Sequence, residues 1–95
     1  MKWVHLPNAT YFKDRDVFLN CGFLAGEFVL DFRGRTLNTV PTLATSGTNA
    51  FKGCPAGYQI VVPDSLYTSW TTASNWSVVA NHIIRASDYE AQLGS

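Results

Sequence analysis

Residues 36–81 carry only two charged side chains, Lys52 and Asp64, and are otherwise filled with Ser, Thr, Asn, Gly and large apolar residues. A chain that stays dispersed as a free monomer usually mixes charges of both signs over its surface. Neutral hydroxyls and amides cost less to strip of water than charges do, so such a stretch suits a surface covered by neighbouring molecules. The span therefore predicts a chain that works against other proteins. It also fits an extracellular or virion setting.

Charge is sparse along the whole chain, at 15% of residues against about 25% in an average soluble domain. The formal net charge is zero, and the seven Lys and Arg residues are scattered without a run. Nucleic-acid binding needs a basic footprint for the phosphate backbone, and this chain has none. No basic amphipathic stretch is present to lie on an anionic membrane. Met1-Lys2-Trp3-Val4 opens like a signal peptide, but His5, Pro7, Asn8 and the charged residues Lys13, Asp14, Arg15 and Asp16 follow with no apolar run. No segment approaches the roughly 20 apolar residues of a membrane span. The expectation is cytoplasmic synthesis without an export signal or anchor, with incorporation into a virion as one destination.

At 95 residues the chain reads as a single domain, 1–95. Aromatic residues, 14% of the total, supply the bulk from which a small core is built. Cys21 and Cys54 could close a disulfide worth about 2–4 kcal/mol; without an export signal, two buried thiols are the reading expected of this pair.

Lys2–Leu6 reads as a short strand ended by Pro7-Asn8, and Val17–Leu19 begins a second apolar run. In Glu27–Arg33, Phe28, Leu30 and Phe32 alternate with Glu27, Val29, Asp31 and Arg33, the period of a strand with one buried and one mostly wet face. Gly34 then predicts a turn, with Arg35–Val40 as the second arm of a hairpin. Pro41–Gly57 reads as a long loop with Thr42-Leu43-Ala44 and Asn49-Ala50-Phe51 as apolar anchors. Tyr58–Val62 is a strand rich in β-formers, closed by Pro63. Asp64-Ser65 starts a helix of at most about two turns carrying Leu66, Tyr67 and Trp70. Ser77–Arg85 has both helical spacing and β-branched content and is assigned to strand; Ser87–Leu93 offers a short terminal helix. The predicted fold is mainly β, a small antiparallel sandwich or barrel-like domain with one or two short helices, with α+β as the alternative.

No catalytic constellation emerges. The nucleophile elbow Gly-x-Ser-x-Gly is missing, and Cys54 with His82 forms no recognisable reactive-thiol motif. His5 and His82 are isolated, Asp14 and Asp16 are only half a calcium loop, and no phosphate-binding glycine loop occurs. No metal, cofactor or catalytic residue is expected. The Asn8-Ala9-Thr10 and Asn75-Trp76-Ser77 tripeptides match the glycosylation pattern by chance. One local cluster, Tyr67, Trp70 and Trp76 among hydroxyls and amides, has the make-up of an aromatic platform for a sugar or peptide; the plainer reading, favoured here, is that one or two of these rings fill the core of a small domain.

The reading is a non-enzymatic structural or interaction protein, a homo-oligomer or a stable partner of a larger protein, of the kind found as a small accessory component of a virus or phage particle. A carbohydrate- or peptide-binding module is the alternative, and a protein inhibitor of a host enzyme is another.

Overall fold

The computed structural model describes residues 3–12 and 26–93. In chain order these form β1 (Trp3–His5), β2 (Tyr11–Phe12), β3 (Val29–Asp31), β4 (Thr42–Leu43), α1 (Gly47–Ala50), β5 (Gln59–Val62), α2 (Tyr67–Thr72), β6 (Ile83–Arg85) and α3 (Ala86–Leu93). A 3₁₀ turn over Asp64–Leu66 leads into α2, and a second over Ser77–His82 leads into β6.

The main sheet has the order β1-β3-β5-β6 with every pair parallel, and β2 pairs with β4, also in parallel. The antiparallel, mainly β prediction is thus wrong: the described chain is mixed α/β with parallel sheets only. The α+β alternative fails on the same pairing. The reason lies in the connections. Twenty or more residues separate β3 from β5 and β5 from β6, long enough to return the chain to the same end of the sheet, as parallel pairing requires. The run Ile60-Val61-Val62 is buried at every position, the mark of a strand covered on both faces. Arg35–Val40 forms no strand; the turn at Gly34 (φ 85°) diverts the chain into a loop instead of a hairpin.

The register puts Val4, Leu30, Ile60 and Ile83 in one row and His5, Asp31, Val61 and Ile84 in the next. Because side chains alternate along a strand, these rows point to opposite faces. The first face holds the core, in which Phe28, Leu30, Phe32, Ile60, Val62 and Ile83 pack with Phe12, Leu43, Phe51, Leu66, Trp70 and Trp76. Phe32, Trp70 and Trp76 are mutually in contact, with ring centres 4.6–6.2 Å apart. The second face is covered in part by α3, whose Tyr89 is buried.

The stretch predicted as a loop, Pro41–Gly57, is pinned at the two expected places, with Leu43, Ala50 and Phe51 buried; between them Ser46 caps the single turn of α1 through its hydroxyl and the Thr48 N–H. The Ser77–Arg85 strand is shorter than predicted. Ser77–His82 is 3₁₀ and only Ile83–Arg85 joins the sheet, because Val79 is needed in the core beside Trp76. The apolar run at Val17–Leu19 and the Cys21 side of the cysteine pair lie outside the described residues.

Candidate functional site

In open parallel sheets, ligands bind beyond the carboxyl ends of the strands. Here that edge gathers His5 from β1, Asp31 and Arg33 from the end of β3, Asp64 after β5, and Arg85 from β6. Each of these groups is engaged inside the protein.

Asp31 is fully buried. Its carboxylate accepts from the Arg33 backbone N–H (2.9 Å), from Arg33 Nε (3.0 Å to each oxygen), from Arg33 Nη2 (2.8 Å) and from Trp3 Nε1 (3.3 Å). Burial by itself would raise the Asp31 pKa; the hydrogen bonds and charge of Arg33 more than offset it and hold the carboxyl below its ordinary range. The same bonds raise the Arg33 guanidinium further. Arg33 also reaches Glu90 of α3 (3.8 Å) and lies over the Tyr89 ring (5.0 Å). The Arg33 carbonyl accepts from His5 Nε2 (2.7 Å), and the His5 ring stacks on Trp3. Sequence alternation places Asp31 and Arg33 on a mostly wet face; Asp31 is instead sealed, because Arg33, in the turn just after β3, folds its guanidinium back onto the carboxylate.

Asp64 accepts from the Ser87 N–H at 3.0 Å. It thereby occupies the amino end of α3, the position at which an anionic ligand would gain most from the helix dipole. Hydrogen bonding to Ser87 keeps the Asp64 carboxyl below its usual range. Arg85 lies 4.1 Å from the centre of the Tyr67 ring.

The predicted aromatic platform is not on the surface. Trp70 and Trp76 are completely buried, and Trp76 Nε1 donates to the Pro41 carbonyl (2.8 Å). Tyr67 is half-buried beneath Arg85. Trp70 and Trp76 pack on each other and on Phe32 in the core, with Tyr67 partly buried against it, because a domain this small gains most of its apolar contact by burying its large rings.

Open grooves lie among the described residues. One of about 370 Å³ runs between residues 40–44 and 73–76. Its walls are tied by Asn75, which donates from Nδ2 to the Leu43 carbonyl (2.6 Å) and accepts the Gly47 N–H on its own carbonyl (2.8 Å). Asn75 has φ 68°, a left-handed conformation that Asn tolerates better than most residues. Its side chain is therefore committed to the fold.

A second groove, about 460 Å³, lies at the amino ends of β5 and β6 beside Tyr58, Asn81 and His82. There Phe51, Tyr58 and His82 form a continuous stack, 5.0 and 3.8 Å between centres, and His82 Nδ1 is 2.9 Å from the Tyr58 carbonyl. Burial, with the nearby Cys54 adding to it, pushes the Tyr58 hydroxyl up to about 12. The third groove, about 410 Å³, lies on the second sheet face between Trp3, Val29, Tyr89 and Leu93, with Glu27 and Arg33 at its rim.

Among the described residues, no three His, Cys, Asp or Glu side chains converge on a common point, and no helix is long and apolar enough to cross a membrane. No family model matches the chain, and no curated protein or solved structure matches it.

Proposed function

We propose that this protein is a non-enzymatic structural component that associates with copies of itself through the neutral exterior contributed by residues 36–81. The observation that carries this reading is the makeup of that exterior. Its exposed positions are mainly hydroxyl and amide residues, with Leu37 (38% exposed) and Val78 (55% exposed) among them. Of its two charges, Asp64 is engaged by the amino end of α3, which leaves Lys52 to face water. A surface of this kind loses little on desolvation, and a net charge of zero removes the repulsion that keeps charged copies apart. The same span supplies Phe51, Tyr58, Leu66, Trp70 and Trp76 to the core, so the exterior is presented on a rigid base.

The carboxyl edge of the sheet supports the same reading. The groups that could serve a ligand there are already bonded to Arg33, Ser87 and Tyr67. The aromatic-platform alternative has lost its surface, since two of its three rings are inside.

Size-exclusion chromatography with light scattering on the full chain tests the proposal. The expected result is an oligomer at micromolar concentration that Val78→Glu or Leu37→Glu dissociates, because either change puts a charge onto the neutral exterior. A monomer at every concentration, or an oligomer indifferent to both substitutions, overturns it.

A further inference from the structure

A column of rings ends at the groove beside the amino ends of β5 and β6. Phe51 and Tyr58 are buried and stack with centres 5.0 Å apart and planes 12° apart. Tyr58 stacks in turn on His82, at 3.8 Å and 5°. His82 is half-buried and lines the groove. One face of its imidazole lies flat against Tyr58, which leaves the other face and the Nε2 edge to meet the groove. The ring is held in place: Nδ1 is 2.9 Å from the Tyr58 carbonyl, and a carbonyl only accepts, so Nδ1 carries the hydrogen of that bond.

The walls of the groove add an open amide and room. The Gln59 amide is paired with that of Gln92, at 3.0 and 3.4 Å. Asn81 is exposed, lines the groove, and its carboxamide has no hydrogen-bond partner among the described residues. A carboxamide sets a donor and an acceptor side by side, the pattern that complements the adjacent acceptor and donor on an adenine edge. Gly57, also in the lining, faces open space: a Cβ there would meet nothing within 4 Å. The groove volume, about 460 Å³, falls within the roughly 300–1,000 Å³ of small-molecule sites. A flat ring gains from stacking on another ring, and it gains most when that ring is already fixed, as His82 is by the core beneath it.

We propose that this groove binds a planar heteroaromatic ring of the adenine type as the next layer of the column. The ring lies on the outer face of His82, and the Asn81 carboxamide pairs with its edge. The polar groups at the carboxyl end of the sheet are engaged inside the protein, whereas here a ring face and an amide are left for a ligand.

The test is a titration of the intact chain with adenosine at constant pH, following the carbon-bound ring protons of its two histidines by NMR. Protons that lie over the face of a stacked aromatic ring move upfield. The His82 protons are expected to move upfield along a saturable curve, several-fold further than those of His5, and ribose alone is expected to move neither. Asn81→Ala, a change at an exposed position, is expected to weaken binding several-fold and to keep the upfield direction. Gly57→Leu, at a position with room for a side chain and without a left-handed backbone, is expected to fill the groove and abolish the saturable shift. The main result comes from the unsubstituted chain, so it does not depend on a variant folding. His82 protons that stay still, or histidines that drift together, overturn the site. A shift that ribose reproduces overturns the stacking. Unchanged affinity in Asn81→Ala overturns the edge pairing, and unchanged affinity in folded Gly57→Leu overturns the placement in this groove.

Discussion

Replacing Asp31 with Asn removes a charge from the most enclosed polar group of the second sheet face while changing its size hardly at all. The amide can keep one oxygen toward the Arg33 backbone N–H and Nε. Its NH₂ then faces the three donors that met Oδ2: Arg33 Nε, Arg33 Nη2 and Trp3 Nε1. Hydrogen bonds to charged groups contribute about 1.5–3 kcal/mol each. The Arg33 side chain keeps 29% of its surface in water and lies near Glu90, so it recovers part of what it loses. The net cost is about 2–4 kcal/mol, against a total stability of roughly 5–14 kcal/mol for a chain of this length.

Urea unfolding followed by tryptophan fluorescence measures the change. With a slope of about 1–2 kcal/mol per molar, the midpoint falls by about 1–4 M. The pH dependence gives an independent reading. The folded pKa of Asp31 is lowered, so its stabilisation is fully present above the ordinary carboxylate value and is lost as pH falls through the folded one. Acid unfolding of the Asn variant is therefore less steep than that of the parent below pH 3.8, the ordinary value. A urea midpoint within about 0.3 M of the parent, with an unchanged acid profile, would refute the clamp.

A Cβ added at Gly47 would lie 2.8 Å from Val79 Cγ2 and 2.9 Å from the Asn75 carbonyl oxygen. Because the second neighbour is backbone held by the Gly47 N–H itself, Gly47→Ala should destabilise by about 1–3 kcal/mol, read as a drop in the thermal midpoint; an unchanged midpoint would mean the 73–76 turn yields freely. Tyr58 is expected to ionise at about 12, above its unfolded value of 10.0, so its contribution to stability falls as pH rises between the two. Tyr58→Phe should shift alkaline unfolding, followed by circular dichroism, to higher pH; an unaltered alkaline transition would contradict the burial of that hydroxyl.

Much of the local structure was legible. The β-branched run before Pro63 is β5, the polar residues after Pro63 open a short helical segment, and the acidic stretch near the carboxyl end is α3. The anchors at Leu43 and Phe51 are buried where an apolar residue in a polar stretch had no other place to go. Strand direction differs from the antiparallel expectation. Period-two alternation in Glu27–Arg33 suggested a sheet with one wet face, while the unbroken apolar runs Ile60-Val61-Val62 and Ile83-Ile84 already signalled burial on both sides. Weighing those runs against the length of the connections would have favoured parallel pairing. The aromatic cluster was legible as a cluster, but whether Trp70 and Trp76 face water or the core depends on what packs above the sheet.

Composition and local pattern, then, determined the strands at Trp3–His5, Val29–Asp31 and Gln59–Val62 and the helical segment after Pro63, that residues 36–81 carry almost no charge, and which residues are large enough to make a core. Those properties are set by side-chain chemistry and by contacts a few residues apart. Tertiary structure alone decided that Asp31 is sealed beneath Arg33 and Trp3, that Asp64 meets the amino end of α3, and that the Trp76 indole is turned inward to donate to the Pro41 carbonyl. Each of these joins residues more than 20 positions apart, or is settled by which sheet face a helix covers, and the strand order that brings them together is a property of the whole chain.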